Sequence, residues 1–154
     1  MIAAGTKLPD FRLQDQDGNW VTQDDLKGKW VVLYVYPKDD TPGCTIQGKS
    51  FTATKADFDD LNTKILGLSA DDVASHKSFC NKFSFTIDLL ADPDAKVLGA
   101  LGIGQTDWKG TKYWDRTTVV ADPQGMVRKV YEKVNPTGHE QTLLADLKTL
   151  QSQR

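Results

Sequence analysis

The chain has 154 residues, 39% hydrophobic and 26% charged, with a net charge of −2. That length suits one compact domain over residues 1–154 and is too short for two typical ones. The charges are interspersed, so no basic field invites nucleic acid or a membrane surface, and the longest strongly apolar run, Trp30 to Tyr36, cannot cross a bilayer. Met1 to Asp10 lacks the basic start and apolar stretch of a secretory signal, so a cytoplasmic location is expected. Two cysteines, Cys44 and Cys80, are too few for a disulfide scaffold; they are incidental, metal-binding or redox-active.

In chain order, Phe11 to Leu13 and Trp20 to Thr22 flank the turn-rich Asp15-Gln16-Asp17-Gly18-Asn19, which predicts an N-terminal β-hairpin. Val31 to Tyr36 is apolar throughout and reads as a strand buried on both faces. After Cys44, the spacing of Phe51, Thr54, Phe58 and Leu61 predicts a helix to about Asn62. Lys64 to Ser69 is a second strand. Asp71 or Asp72 starts a helix with Val73, Phe79, Cys80 and Phe83 as its apolar stripe, and Asp88 to Leu90 is a short strand. Pro93 suits the first turn of a helix through about Leu101. Gly102 to Asp115 reads as irregular, with Trp108 and Trp114 as loop packing or, as an alternative, an apolar collar for a substrate. Thr117 to Ala121 and Met126 to Tyr131 form a hairpin across Asp122-Pro123-Gln124-Gly125, and Leu143, Leu144, Leu147 and Leu150 mark a closing amphipathic helix. This order predicts an α/β fold of the thioredoxin-like kind, a central mixed β-sheet flanked by helices.

The run Tyr34 to Thr45 carries the chemistry. A strand ends at Pro37, a polar loop follows, and Thr41 stands three residues ahead of Cys44, which opens a helical segment. A thiol at a helix N-terminus meets unpaired backbone N–H groups and the positive end of the dipole, and so is biased toward thiolate. The sulfur is expected to be exposed.

Pro37-Lys38-Asp39-Asp40-Thr41-Pro42-Gly43-Cys44 resembles the peroxiredoxin pattern P-x-x-x-T-x-x-C, and Tyr36 to Thr45 is similar to its peroxiredoxin Q, or bacterioferritin-comigratory-protein, branch. Ile65 to Asp71, Ser75-His76-Lys77, Leu89 to Asp92, Arg116 to Val119 and the C-terminal helix extend the resemblance over nearly the whole chain. Two departures stand out. The second cysteine common in the branch five residues after the first is Lys49 here, and the usual glutamate three residues after it is Gln47. An Arg-Asp pair often found nearby is replaced by Thr52-Ala53.

The resemblance implies a thiol-dependent peroxidase acting on hydrogen peroxide and organic hydroperoxides without metal, haem or flavin. Full ionisation of an ordinary thiol at neutral pH takes roughly 3–4 kcal/mol of preferential thiolate stabilisation. A helix terminus supplies about 0.3–1 kcal/mol and at best about 2 kcal/mol. Arg116 is the natural remainder, a permanent cation with a planar fork. By family resemblance Thr41 bonds sulfur and peroxide, backbone N–H groups around Gly43 and Cys44 hold the attacked oxygen, and Pro37 limits water. Cys44 would become a sulfenic acid, Cys80 would resolve it as in the branch variant with the resolving cysteine on the following helix, and thioredoxin or glutaredoxin would restore both thiols. A monomer is expected, with weak dimerisation as an alternative.

Other readings stay open at this point. Cys80 could be a small core hydrophobe, leaving a one-cysteine peroxidase. Cys80 and His76, four apart on a helix, could share a metal. The fold could serve as a binding or holdase module, whereas a thiol–disulfide exchanger would want a C-x-x-C pair that is absent from the sequence. His76 and His139 read as surface or cap residues, Asp39 and Asp40 as solvated.

Overall fold

The alternation of fully apolar strands with amphipathic segments leaves one way to bury both faces of a sheet, and the computed structural model, which describes residues 1–153, takes it. Strands β1 (Arg12–Gln14) and β2 (Trp20–Thr22) form the expected N-terminal hairpin, followed by a 3-10 turn at Gln23–Leu26. The remaining order is β3 (Trp30–Val35), α1 (Pro42–Asp60), β4 (Thr63–Ser69), α2 (Val73–Phe83), β5 (Asp88–Ala91), α3 (Lys96–Leu101), β6 (Gln105–Trp108), β7 (Thr111–Trp114), β8 (Thr117–Ala121), β9 (Val127–Tyr131) and α4 (His139–Ser152).

Seven strands make one mixed sheet in the order β2-β1-β5-β4-β3-β8-β9. β3, β4 and β5 run parallel through helical crossovers, while β8 lies antiparallel to β3. Every residue of β3 is buried, and alternate side chains serve different cores. Trp30, Val32, Tyr34 and Tyr36 pack with Phe51 and Phe58 of α1, Phe79 of α2 and Leu143 and Leu147 of α4. Val31, Leu33 and Val35 pack on the opposite face with Val97, Leu98 and Leu101 of α3. Cys44 and Cys80 both belong to the first core.

The structure departs from the sequence-based expectation at two elements. Residues 105–114 are a two-stranded hairpin of their own, β6 paired with β7, because Gly110 supplies the positive φ of its turn (84°). Trp108 stands 61% exposed on this hairpin, while Trp114 packs against the second core, so only Trp114 fits the packing role. Helix α3 begins at Lys96 rather than near Pro93. The Asp92 carboxylate accepts from the N–H groups of Lys96 and Leu98 (3.0 and 2.8 Å) and sets that start, with Pro93 in the preceding turn.

Gly48 holds the α1–α2 side together. A Cβ there would lie 2.9 Å from Cε1 of the Phe85 ring and closer still to two other ring atoms. Phe85 in turn packs edge-on against Phe79 (4.9 Å between centroids). Gly48→Ala is therefore expected to destabilise the fold by about 1–3 kcal/mol through overpacking, read from urea unfolding midpoints.

Candidate active site

Helix α1 begins at Pro42, two residues ahead of the Cys44 start expected from the sequence. Thr41 is the N-cap with extended backbone (φ −99°, ψ 157°), and Pro42 occupies the first helical position, where a missing N–H costs nothing. Cys44 is the third helical residue. The Thr45 N–H bonds the Thr41 carbonyl (2.9 Å), which leaves the amides of Gly43 and Cys44 without an intrahelical acceptor.

Arg116, between β7 and β8, reaches back over this turn. A Cβ on Gly43 would lie 3.0 Å from the guanidinium carbon and nearer still to Nη2, so only glycine admits the cation there. Nη1 of Arg116 donates to Oε1 of Gln47 at 2.8 Å. Gln47 is buried one turn beyond Cys44, and because a guanidinium only donates, its amide oxygen must face Arg116. Its NH2 group is then buried with no acceptor among the described residues, a cost of about 1–3 kcal/mol. A glutamate would satisfy the fork and neutralise it. Glutamine holds the fork and leaves the charge.

The Thr41 hydroxyl donates to the Lys38 carbonyl (2.8 Å), so its proton is committed to the loop and its lone pairs remain to accept. Pro37 is half-buried at the end of β3. The structure thus brings Pro37, Thr41, Gly43, Cys44 and Arg116 to one end of β3. Cys80 approaches the same apolar cluster from α2, and both cysteines are free thiols.

Three expectations fail here. Cys44 is 1% exposed rather than open to solvent, because α1 turns it inward onto the first core. Asp39 is buried rather than solvated: Oδ1 accepts from the Tyr36 hydroxyl (2.6 Å), and Oδ2 accepts from the Ser75 hydroxyl (2.7 Å) and faces Nδ1 of His76 (2.7 Å). Asp40 alone behaves as expected, exposed and paired with Lys82 (2.8 Å). His76 is fully buried and His139 nearly so, neither at the surface. Both His76 ring nitrogens face oxygen atoms, Nε2 against the Leu90 carbonyl (2.9 Å), which leaves none to share a metal with Cys80. His139 faces the Thr118 hydroxyl (2.9 Å), and burial pushes its pKa down to about 4.

Tyr34 is the site residue that sequence reading passes over. Its ring stacks between Tyr36 (5.6 Å) and Phe51 (4.6 Å), and its hydroxyl lies over Gly67, where a Cβ would be 3.0 Å away. Burial raises its pKa well above the usual phenol range, and Cys44, Cys80 and Asp39 raise it further while Arg116 opposes them. One neutral hydroxyl thus lies within electrostatic reach of both thiols. The available signal was the alternation of β3, which turns Tyr34 and Tyr36 to one face.

Cys80 sits in the opposite environment to Cys44. Burial is the main cause, and Asp39, Asp88 and Asp17 add to it, pushing its thiol up to about 12. Ser84 and Phe85 both donate their N–H groups to the Cys80 carbonyl, the second at 3.0 Å, closing the helix over it. Lys49, where a second cysteine would be common, lies over the Phe83 ring at 5.1 Å.

A cysteine in the first turn of a helix, under an arginine and against a thioredoxin-like sheet, is the arrangement of a thiol-dependent peroxidase. Residues 4–130 match the AhpC/TSA family. The peroxiredoxin Bcp of Xanthomonas campestris pv. campestris is 37% identical over 155 aligned positions, covering 96% of this chain and 97% of that one. The chloroplastic peroxiredoxin Q of Triticum aestivum is 40% identical over 130 residues, 84% of this chain and 59% of the other. The bacterioferritin comigratory protein of Xanthomonas campestris, studied for alkyl peroxide reduction, superposes with a TM-score of 0.88 at 36% identity, covering 96% and 98% of the two chains. The chain belongs to the AhpC/TSA family, in its peroxiredoxin Q, or bacterioferritin-comigratory-protein, branch. It is a peroxidase.

The raised Cys80 pKa has a thermodynamic consequence. Above pH 9 the unfolded chain loses the Cys80 proton while the folded chain keeps it until about 12, so stability falls across that window as pH rises. Denaturant unfolding at pH 8 to 11 should show this fall, and Cys80→Ser should make it shallower.

Proposed function

We propose that this protein reduces hydroperoxides through Cys44, resolves the product as an intramolecular Cys44–Cys80 disulfide, and is recycled by an external dithiol protein of the thioredoxin or glutaredoxin type. The carrying observation is the placement of Arg116 over Gly43, held by Gln47 (2.8 Å), beside the first-turn amides next to the sulfur.

The Cys44 thiolate attacks one peroxide oxygen, the S–O bond forms as the O–O bond breaks, and the other oxygen leaves as hydroxide or alkoxide. Charge moves from sulfur to the departing oxygen, and donors already in position stabilise it without reorganisation. Those donors are the Gly43 and Cys44 amides and the Arg116 fork, with the Thr41 oxygen placed to accept from the peroxide O–H. Pro37 limits water access. An alkyl hydroperoxide suits the same geometry, in keeping with the activity studied in the Xanthomonas relative.

The Cys80 sulfur then attacks that of the Cys44 sulfenic acid, forming the S–S bond and releasing water. In the folded state Cys80 is 6% exposed and strongly disfavoured as thiolate, so α2 must open before it can attack or be reached by a reductant. The thiol pair, with no metal or organic cofactor, carries the redox equivalents in this scheme.

Cys44→Ser should abolish peroxide-dependent NADPH oxidation coupled through thioredoxin and its reductase; undiminished turnover would reject the enzyme assignment to this residue. Cys80→Ser should retain a single fast peroxide-consuming turnover and lose at least 90% of thioredoxin-supported cycling (about a tenfold loss or more). Arg116→Ala should slow the first step at least about tenfold, corresponding to about 1.4 kcal/mol, in a stopped-flow measurement with hydrogen peroxide.

A further inference from the structure

The buried polar groups beneath the site have no part in the chemistry just described. Asp39 lies two residues ahead of Thr41, and its backbone N–H donates to Asp71 (2.9 Å), whose carboxylate also accepts from the Ser69 hydroxyl (2.7 Å). The Asp39 side chain takes Tyr36, Ser75 and His76. Nε2 of His76 faces a carbonyl, which can only accept, so that nitrogen carries a proton, and Nδ1 faces the Asp39 carboxylate. Atoms of Asp39, Asp71 and His76 lie within 4.8 Å of one another, but the donors around them already occupy the positions a cation would take. This is a closed hydrogen-bond network rather than a metal site.

The network is distributed unevenly along α2. Its first turns are fastened three ways: Asp72 caps the Ser75 N–H (2.8 Å), Ser75 bonds Asp39, and His76 bridges Asp39 and Leu90. The last turn, which follows Cys80, has no comparable buried polar anchor among the described residues. It rests on Phe79, Phe83 and Phe85 and ends at Ser84, a non-glycine residue at φ 56°, a left-handed conformation that L side chains adopt at a cost. His76 and Cys80 are one turn apart, on opposite sides of that division.

We propose that Asp39 and His76 are positioning residues that latch the first turns of α2 to the active-site loop, so that the opening that frees Cys80 stops short of His76. This rests on the reading that Cys80 leaves its helix to meet Cys44. The latch lets the resolving thiol move while the loop bearing Pro37 and Thr41 keeps its shape for the next peroxide. Such a limit on motion is not a contribution to the bond-making step itself.

The test begins with the reduced wild-type protein, in which hydrogen exchange followed by NMR needs no disulfide. The amides of Cys80 to Ser84 should exchange through an opening at least tenfold more populated than any that releases the His76 Nε2 proton. Exchange of both sets through a single common opening overturns the latch. In His76→Asn the opening should spread, with at least tenfold loss of protection at Lys77 and Ser78, and the ratio of disulfide formation to peroxide attack should rise at least threefold. An unchanged ratio with unchanged protection also overturns it. Should His76→Asn fail to fold, the wild-type exchange decides alone. Absence of a Cys44–Cys80 disulfide after peroxide treatment would reject the proposed function while leaving the exchange result to judge the latch.

Discussion

The site depends on a cation held against a helix N-terminus by a residue with no side chain. Arg116 can lie over the first turn of α1 only because position 43 is glycine, and it stays there because Gln47 accepts its hydrogen bond from inside the core. The helix dipole and Arg116 then act on one small volume beside Cys44. Neither the dipole nor an isolated exposed arginine would supply enough alone. Gln47, unlike a glutamate at that position, supplies the acceptor without a countercharge.

The two thiols are distinguished by their surroundings rather than by chemistry of their own. Cys44 has a cation and unpaired amides beside it. Cys80 has burial and three carboxylates, which keep its proton in place until α2 opens. Burial keeps Tyr34 neutral, and both thiols add to that effect. In the proposed cycle this sets an order of events: Cys44 meets peroxide first, and Cys80 becomes competent only after a local change in structure. Anchoring the start of α2 while leaving its end on aromatic contacts and a strained cap places that change where Cys80 lies.

Much of this was legible in the sequence because it is local. The apolar run of β3, the polar loop from Pro37 that leads to Cys44 and its helix, and the hairpin around Asp122-Pro123-Gln124-Gly125 each encode their conformation within a few residues. Arg116 was expected at the site, but its place over Gly43 is a steric contact across 73 positions, which no local pattern encodes. His76 and Asp39 were misread for the same reason. A histidine on a helix and an aspartate in a polar loop look solvated until the fold brings them within 2.7 Å beneath Tyr36. Likewise α3 starts late because a side chain four residues upstream caps it, and the β6–β7 hairpin, exposed along β6 and half-buried only at Tyr113 and Trp114, lacks the alternation that marks a half-buried strand.

In the proposed cycle Cys44 is oxidised first and Cys80 closes the cycle within the same chain. Intact mass and peptide mapping of the reduced protein, after one equivalent of hydrogen peroxide without reductant, address it directly. The expected result is a loss of two hydrogens (~2 Da) and a single bridged peptide joining Cys44 to Cys80. A protein that instead gains oxygen at Cys44 while Cys80 remains a free thiol would contradict it.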